Sequence, residues 1–178
     1  MRKKLLKASL ALLIIFIIIL TAIAALRYLF PRTYIKYIED YSGEFGVDTA
    51  LVLALIKAES NFSPDAVSSA NAKGLMQLTD ETFEFCNDSL KADMGNIFDP
   101  KENLRAGIWY ISYLIERYNG EYKNALAAYN AGATNVDRWL DDSRYSSNGK
   151  TLTEIPFGET YRHTQKITRY KIIYDFLY

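Results

Sequence analysis

The sequence predicts a mostly α-helical domain preceded by one N-terminal transmembrane helix. Apolar residues recur at helical spacing nearly throughout, and no segment of useful length alternates as a strand does. Ala8 to Leu26 is an uncharged run of 19 residues, close to the roughly 20 that cross a bilayer as a helix. We therefore expect residues 1–30 to form a basic leader with a membrane anchor, and residues 31–178 to form one domain of common size.

The charges around the apolar run predict its orientation. Basic residues precede it, namely Arg2, Lys3, Lys4 and Lys7, which predicts a cytoplasmic N-terminus and an exported domain. The alternative is a cleaved signal peptide and a secreted protein, because Ala22 to Ala24 resembles a small-residue cleavage site. The run is longer than a signal core usually is, which favours a retained, single-pass anchor in the cell membrane. Residues 27–34 have the aromatic and basic character of an interfacial collar.

The composition excludes several classes of function. The formal net charge is zero, and the part after the leader is mildly acidic, so we expect no nucleic-acid partner. One cysteine, Cys86, allows no internal disulfide and is expected to be a small buried side chain. The single histidine, His163, suggests no role by itself. No cluster of His, Cys and acidic residues has metal-ligand spacing, so we expect no metal.

Capping signals and breakers predict the order of the helices. Asp48 is a candidate N-cap for a helix that ends near Glu59, and Thr79 to Thr82 contains the signal for another. The remaining helices are expected at about Arg32–Tyr41, from Pro100 to about Tyr118, over residues 121–132, around Val136 and Trp139, and from about Glu159 onward. Residues 61–74 are rich in Ser, Asn, Ala and Gly and predict a long irregular loop of the kind that is often functional.

A carboxylate interrupts the apolar stripe of the helix that Asp48 caps. Val52, Leu55, Ile56 and Glu59 stand at positions i, i+3, i+4 and i+7, so Glu59 faces the core with the others. Burial disfavours the charged form of a carboxyl group and makes it a candidate proton donor near neutral pH. The alternative is that Glu59, at the end of the helix, leans out into solvent.

Four stretches in this order and spacing resemble the lytic transglycosylases that share the soluble Slt-type catalytic domain. They are "ESNFSPDAVSSANAKG" from Glu59, "GLMQL" from Gly74, "ALAAYNAG" from Ala125 and "IPFGETYRHTQKI" from Ile155. The resemblance covers about Tyr34 to the C-terminus and implies a lysozyme-like fold that acts on peptidoglycan. A departure follows "GLMQL", where Thr79, Asp80 and Phe83 replace the Met-Pro and later Ala of many relatives, which leaves the shape of the cleft there open.

The resemblance also implies roles for individual residues. Glu59 is the expected catalytic acid, with Ser60 as its polar neighbour. Substrate binding is expected from Ser60 and from residues of the three other motifs: Gly74, Met76 and Gln77 at the cleft, Tyr129 near the carboxylate, Asn130 on the sugar, and Glu159 and Tyr161 in the closing motif.

The implied reaction needs one carboxyl group and no cofactor. In this family the acid protonates the glycosidic oxygen between N-acetylmuramic acid and N-acetylglucosamine, then acts as base while the C6 hydroxyl closes a 1,6-anhydro ring. The expected partners are glycan strands and, through the anchor, the membrane, while a partner in cell-wall or secretion machinery stays open. One alternative is a lysozyme-like hydrolase with a second carboxylate among Asp80, Glu81, Glu84 and Asp99. Another is a catalytically idle glycan-binding scaffold.

Overall fold

The computed structural model describes residues 2–178, and their side chains from residue 6 onward except that of residue 8. Over these residues the fold is helical, with two isolated bridges, Val67 to Lys73 and Lys73 to Leu78, and no strand. The helices are α1 (Arg2–Leu29), α2 (Ile35–Phe45), α3 (Thr49–Glu59), α4 (Asp80–Leu90), α5 (Pro100–Arg117), α6 (Tyr122–Ala131), α7 (Ala133–Leu140) and α8 (Gly158–Leu177). The predicted fold class is confirmed.

Helix α1 contains the predicted apolar segment. A stretch of 21 residues, Ser9–Leu29, has a mean hydropathy of 3.0, and none of it is buried within the protein. Many of its large aliphatic side chains are exposed, among them Leu12 at 68% and Ile18 at 59%. By length and composition this helix is able to cross a membrane.

Helix α3 lies at the centre of the domain and packs against α8 and α2. The Asp48 carboxylate begins it by accepting a hydrogen bond from the Leu51 N–H at 3.0 Å, as predicted. Six consecutive residues from Leu51 to Ile56 are buried. The sequence predicts burial along one apolar stripe, whereas the structure buries every face of this part of the helix. Glu59 is the last helical residue, where the core meets the surface.

Helix α2 differs most from the prediction. It begins at Ile35 instead of about Arg32 and continues past Tyr41 to Phe45. Gly43 remains helical, and the helix ends at Gly46, whose φ of 67° is the left-handed conformation that favours glycine. The other helices start and end close to their predicted signals, including α4 after Thr79 and α5 at Pro100.

One buried side chain fixes the irregular segment between α3 and α4. The Asn103 amide in α5 donates to the Lys73 carbonyl at 3.2 Å and the Ile97 carbonyl at 2.8 Å, and its oxygen accepts from the Met76 N–H at 2.8 Å. Gly74 lies against the same amide with a φ of 76°, where a Cβ atom would collide with Asn103. One residue that solvent does not reach thus binds three backbone groups, of which the Lys73 carbonyl also accepts from the Leu78 N–H at 3.0 Å.

We predict that Asn103→Ala destabilises the domain by about 3 kcal/mol or more, because the Met76 N–H and the Ile97 carbonyl lose their hydrogen-bond partner. Urea unfolding followed by circular dichroism measures the change. Lys101→Ala, on the exposed side of the same helix, is the matched control and is expected within about 0.5 kcal/mol of the parent. Equal stabilities for Asn103→Ala and the parent would show that Asn103 does not hold the segment between α3 and α4.

Candidate functional site

A cleft of about 680 Å³ lies beside the end of α3, bordered by the loop before α4, the end of α6 and the start of α8. Polar groups from all four segments line it: Glu59, Ser68, Ser69, Gln77, Thr79, Tyr129, Asn130, Glu159, Thr160 and His163, with small and apolar residues between them. Its size and its convergent polar side chains are typical of a ligand site.

Glu59 sits at the inner wall of this cleft and is paired with His163. The Glu59 Oε1 atom lies 2.9 Å from the His163 Nε2 atom. Only 14% of the Glu59 side chain and 12% of the His163 side chain are exposed. Glu59 therefore does not lean out into solvent, and its carboxyl group is both shielded and reachable from the cleft.

The imidazole of His163 has one hydrogen-bonded nitrogen and one without a partner. An ionised Glu59 accepts only, so it requires the ring proton on Nε2. Nδ1 is buried and has no hydrogen-bond partner among the described residues. The pair is suited to hold and release a single proton at the carboxyl group.

His163 is the residue that the sequence analysis missed. As the single histidine of the chain it suggests no role in the sequence, yet it lies 104 positions from Glu59 and meets it through the packing of α8 on α3. A weak signal was available, since His163 follows Glu159 by four residues and so shares its side of α8.

The carboxamides of Gln77 and Asn130 each have one end hydrogen-bonded within the protein and one end free. Gln77 donates to the carbonyls of Ala66 at 3.1 Å and Gly74 at 2.9 Å, which leaves its oxygen as an acceptor at the cleft. The Asn130 oxygen accepts from the Thr160 hydroxyl at 2.7 Å, which leaves its amide hydrogens as donors. The site thus offers one oriented acceptor and one oriented donor to hydroxyl or amide groups of a ligand.

Tyr129 lies between these groups, and its hydroxyl donates to the Met76 carbonyl at 2.7 Å. Its pKa is raised well above the usual range, first by desolvation and then by the negative charge of Glu59. The hydroxyl is therefore protonated at any ordinary pH and acts as a donor. The Tyr129 hydroxyl donates to the backbone of the loop before α4, while the negative charge of Glu59 contributes to its raised pKa.

The other residues expected at the site have different surroundings. Ser60 donates to the Leu75 carbonyl at 2.7 Å, Gly74 packs on Asn103, and Met76 is fully buried. Tyr161 is half exposed and borders a neighbouring groove on α8. Of the predicted set, the structure gathers the catalytic candidate Glu59 with Gln77, Tyr129, Asn130 and Glu159 around one cleft.

The carboxylates suggested for a hydrolase do not line this cleft. Asp80 forms an ion pair with Lys73 at 2.7 Å, and Asp99 caps α5 through the N–H groups of its first turn. Glu81 and Glu84 are exposed on α4. Glu159 is the carboxylate that does share the cleft with Glu59.

Neither a metal centre nor a reactive thiol is found in the part of the chain that the structure describes. No group of three or more His, Cys, Asp and Glu residues is arranged to hold a metal ion there. Cys86 is fully buried, and desolvation raises the pKa of its thiol to about 12. A thiol with that pKa is not a nucleophile near neutral pH.

Comparisons with known proteins point in one direction. Residues 36–152 match the transglycosylase SLT domain family. Membrane-bound lytic murein transglycosylase C of Yersinia pestis (strain Pestoides F) is 31% identical over 158 residues, which cover 75% of this chain and 44% of that protein. This chain therefore spans less than half the length of that relative.

Solved structures give the same result. An inactive mutant of the lytic transglycosylase Slt from Pseudomonas aeruginosa, with glutamine in place of a glutamate, superimposes with a TM-score of 0.74 at 30% identity. The match covers 84% of this chain and 25% of that one. The 70 kDa soluble lytic transglycosylase of Escherichia coli gives a TM-score of 0.75 at 24% identity over 85% of this chain and 25% of its own, a likeness of fold.

We predict that the Cys86 thiol does not react with a thiol-specific disulfide reagent while the protein is folded, because it is buried and protonated. The absorbance of the released thiolate at mildly alkaline pH measures the reaction. One equivalent should appear only after urea is added. Rapid reaction of the folded protein would show that Cys86 is accessible.

Proposed function

Because the chain belongs to the transglycosylase SLT domain family, we propose that it is a lytic transglycosylase acting on peptidoglycan glycan strands. It cuts between N-acetylmuramic acid and N-acetylglucosamine and leaves a 1,6-anhydro end. The observation that carries the proposal is the shielded Glu59 carboxyl at the wall of a polar cleft, held by His163 at 2.9 Å. No cofactor is needed.

In the first step Glu59 acts as general acid. The His163 Nε2–H holds Oε1, so the proton is carried on Oε2 and passes to the glycosidic oxygen as the bond to the anomeric carbon breaks. N-acetylglucosamine leaves as an alcohol, and positive charge develops on the muramic acid ring. The new carboxylate lies beside this charge.

In the second step Glu59 acts as general base. It takes the proton of the C6 hydroxyl of the same muramic acid, whose oxygen attacks the anomeric carbon and closes the anhydro ring. Glu59 is protonated again, so the cycle consumes no water. Proximity favours this intramolecular attack, provided that the sugar is held in the reactive pose and water is excluded.

The oriented amides supply that positioning. The Gln77 oxygen and the Asn130 amide hydrogens face the cleft with their remaining atoms bonded to the protein. Each can bind an acetamido or hydroxyl group of the sugar without first losing rotational freedom. Tyr129 holds the carbonyl of Met76 and so fixes the segment that carries Gln77.

A retaining or inverting hydrolase is the second candidate, and the position of Glu159 favours it. Glu159 lines the same cleft as Glu59, and a second carboxylate there could act as nucleophile or activate water. The products distinguish the two reactions, because hydrolysis leaves a reducing muramic acid and transglycosylation leaves an anhydro end.

We predict that Glu59→Gln lowers the release of soluble fragments from purified peptidoglycan at least 100-fold, because general acid and base catalysis contributes about 10²–10⁴-fold. Glu116→Gln, exposed on α5 outside the cleft, is the matched control and is expected to retain activity. Pelleting with insoluble peptidoglycan checks that Glu59→Gln still binds. Full activity in Glu59→Gln would refute the proposed role.

We predict that His163→Phe lowers kcat about tenfold or more with a smaller change in KM. A hydrogen bond to an ionised group is worth about 1.5–3 kcal/mol, and its loss leaves the carboxyl group free to rotate. His163→Gln retains an N–H donor and should recover most of kcat. Steady-state kinetics on a soluble glycan fragment, with thermal unfolding of each variant, separates positioning from stability. Equal kcat for His163→Phe and the parent would contradict the role.

We propose further that residues 1–30 anchor residues 31–178 at the extracytoplasmic face of the cell membrane. The support is the exposed apolar segment Ser9–Leu29 and the membrane-bound description of the Yersinia relative. This arrangement would confine a potentially lytic activity to the vicinity of the bilayer.

We predict that the full chain sediments with membranes and resists extraction by salt and alkaline carbonate, because the 21-residue segment Ser9–Leu29 is long and apolar enough to cross the bilayer. Protease added to cells without an outer membrane should degrade the domain but not the N-terminus. Recovery from the medium with a new N-terminus near Ala24 would instead establish the cleaved signal peptide.

A further inference from the structure

The end of α1 is held against the C-terminal end of α8 by several contacts. The Arg27 guanidinium donates to the Leu177 carbonyl at 3.2 Å. The hydroxyls of Tyr178 and Tyr174 donate to the carbonyls of Phe30 at 3.2 Å and Pro31 at 3.0 Å. The domain therefore adjoins the apolar helix directly, without a free linker.

Aromatic and cationic packing strengthens this junction. The Phe30 ring is buried edge-on against Tyr170 and Tyr174, with centroids 5.2 and 5.5 Å apart. The guanidinium of Arg32 lies 4.8 Å from the centre of the Tyr178 ring. Buried aromatic contacts of this kind order both partners, so the junction is expected to transmit the orientation of α1 to the domain.

The contacts also give the direction of α8. Arg27 meets Leu177, and Phe30, three residues further along the chain, meets Tyr174 and Tyr170. These contacts all fall on the last turns of α8, from Tyr170 to Tyr178, whereas the start of α8 lines the cleft. Helix α8 leads away from the apolar segment, and its last turn lies at the depth of Arg27.

Two large apolar side chains are exposed on that last part of α8. Ile172 is 63% exposed and Phe176 is 70% exposed, and they lie four residues apart on one side of the helix. Phe176 immediately precedes the residue whose carbonyl Arg27 binds. Tyr28, 85% exposed, is at the same level on α1. Exposed aromatics at this depth match the aromatic belt of membrane interfaces.

We propose that the C-terminal end of α8 is a second membrane contact, in which Phe176 and Ile172 lie in the interfacial region of the bilayer that α1 crosses. The occupant of this apolar surface is lipid, because the Arg27 contact holds the helix end where α1 leaves the hydrocarbon. The proposal rests on the anchoring role given above. The second contact adds to that role a fixed orientation of the domain and a fixed height above the bilayer.

The height of the active site follows from helix geometry. His163 precedes Leu177 by 14 residues, which is about 21 Å along the axis of an α-helix. The Glu59 carboxyl that His163 binds is thus held at most about that far above the interface along α8. The cleft then acts on glycan close to the membrane, and strands further out in the wall are beyond its reach.

Depth-dependent fluorescence quenching tests the proposal on the full chain. Single cysteines replace Phe176, Arg162 and Leu20 and carry an environment-sensitive dye, while the buried Cys86 stays unlabelled. The protein is placed in vesicles of phosphatidylcholine and phosphatidylglycerol with brominated acyl chains. Leu20→Cys reports the anchor, and Arg162→Cys, 14 residues before Phe176 on the same helix, is the matched control.

We expect strong quenching at positions 20 and 176 and none at 162. Quenching at 20 but not at 176 would overturn the second contact and leave the anchor intact. Equal quenching at 162 and 176 would mean that α8 lies flat on the bilayer, which overturns the fixed height. Absence of quenching at 20 would refute the anchor itself, and the second contact with it.

Discussion

The contact between Glu59 and His163 is the interaction on which the site depends. A carboxyl group with 14% of its side chain exposed is costly to ionise unless a hydrogen-bond donor faces it. Helix α3 is covered on every side as far as Ile56, so its last turn has little freedom to carry Glu59 outward. The imidazole from α8 supplies the missing donor, and the packing of α8 on α3 becomes a requirement of the chemistry.

A second set of interactions gives the cleft its far wall. The backbone of Leu75 and Met76 is held by Ser60, Asn103 and Tyr129, through three hydrogen bonds of 2.7 to 2.8 Å. Some of the residues that the resemblance placed at the substrate therefore form contacts within the protein instead. Ser60 and Met76 shape the site indirectly, while Gln77 and Asn130 keep atoms free for a ligand. The backbone at this wall of the cleft is therefore held in place by hydrogen bonds from side chains.

The sequence was informative where structure is determined locally. The Asp48 cap, the Thr79 cap and Pro100 identify where helices begin, because the signal lies within a few residues of its effect. The position of Glu59 on the apolar side of α3 was visible for the same reason. The start of α2 was missed, since neither Arg32 nor Tyr34 carries a capping signal and tertiary packing decides the boundary there.

Contacts between distant segments were beyond sequence reasoning. Beyond its spacing from Glu159, no feature near His163 indicates that it meets a residue 104 positions earlier. Nothing near Asn103 indicates that it binds the loop around Met76. The roles assigned by family resemblance remain predictions, and the structure adds the atoms through which they would act. The fixed junction of Arg27 with Leu177 likewise appears only once the fold is formed.

The central claim is that Glu59 activates a hydroxyl of the sugar itself and not water. Digestion of purified peptidoglycan in water enriched in oxygen-18, followed by mass spectrometry of the fragments, tests it most directly. The account predicts muramic acid ends that are one water lighter than reducing ends and that carry no heavy oxygen. Reducing ends labelled with oxygen-18 would contradict it and would make Glu159 the first candidate for a second catalytic carboxylate.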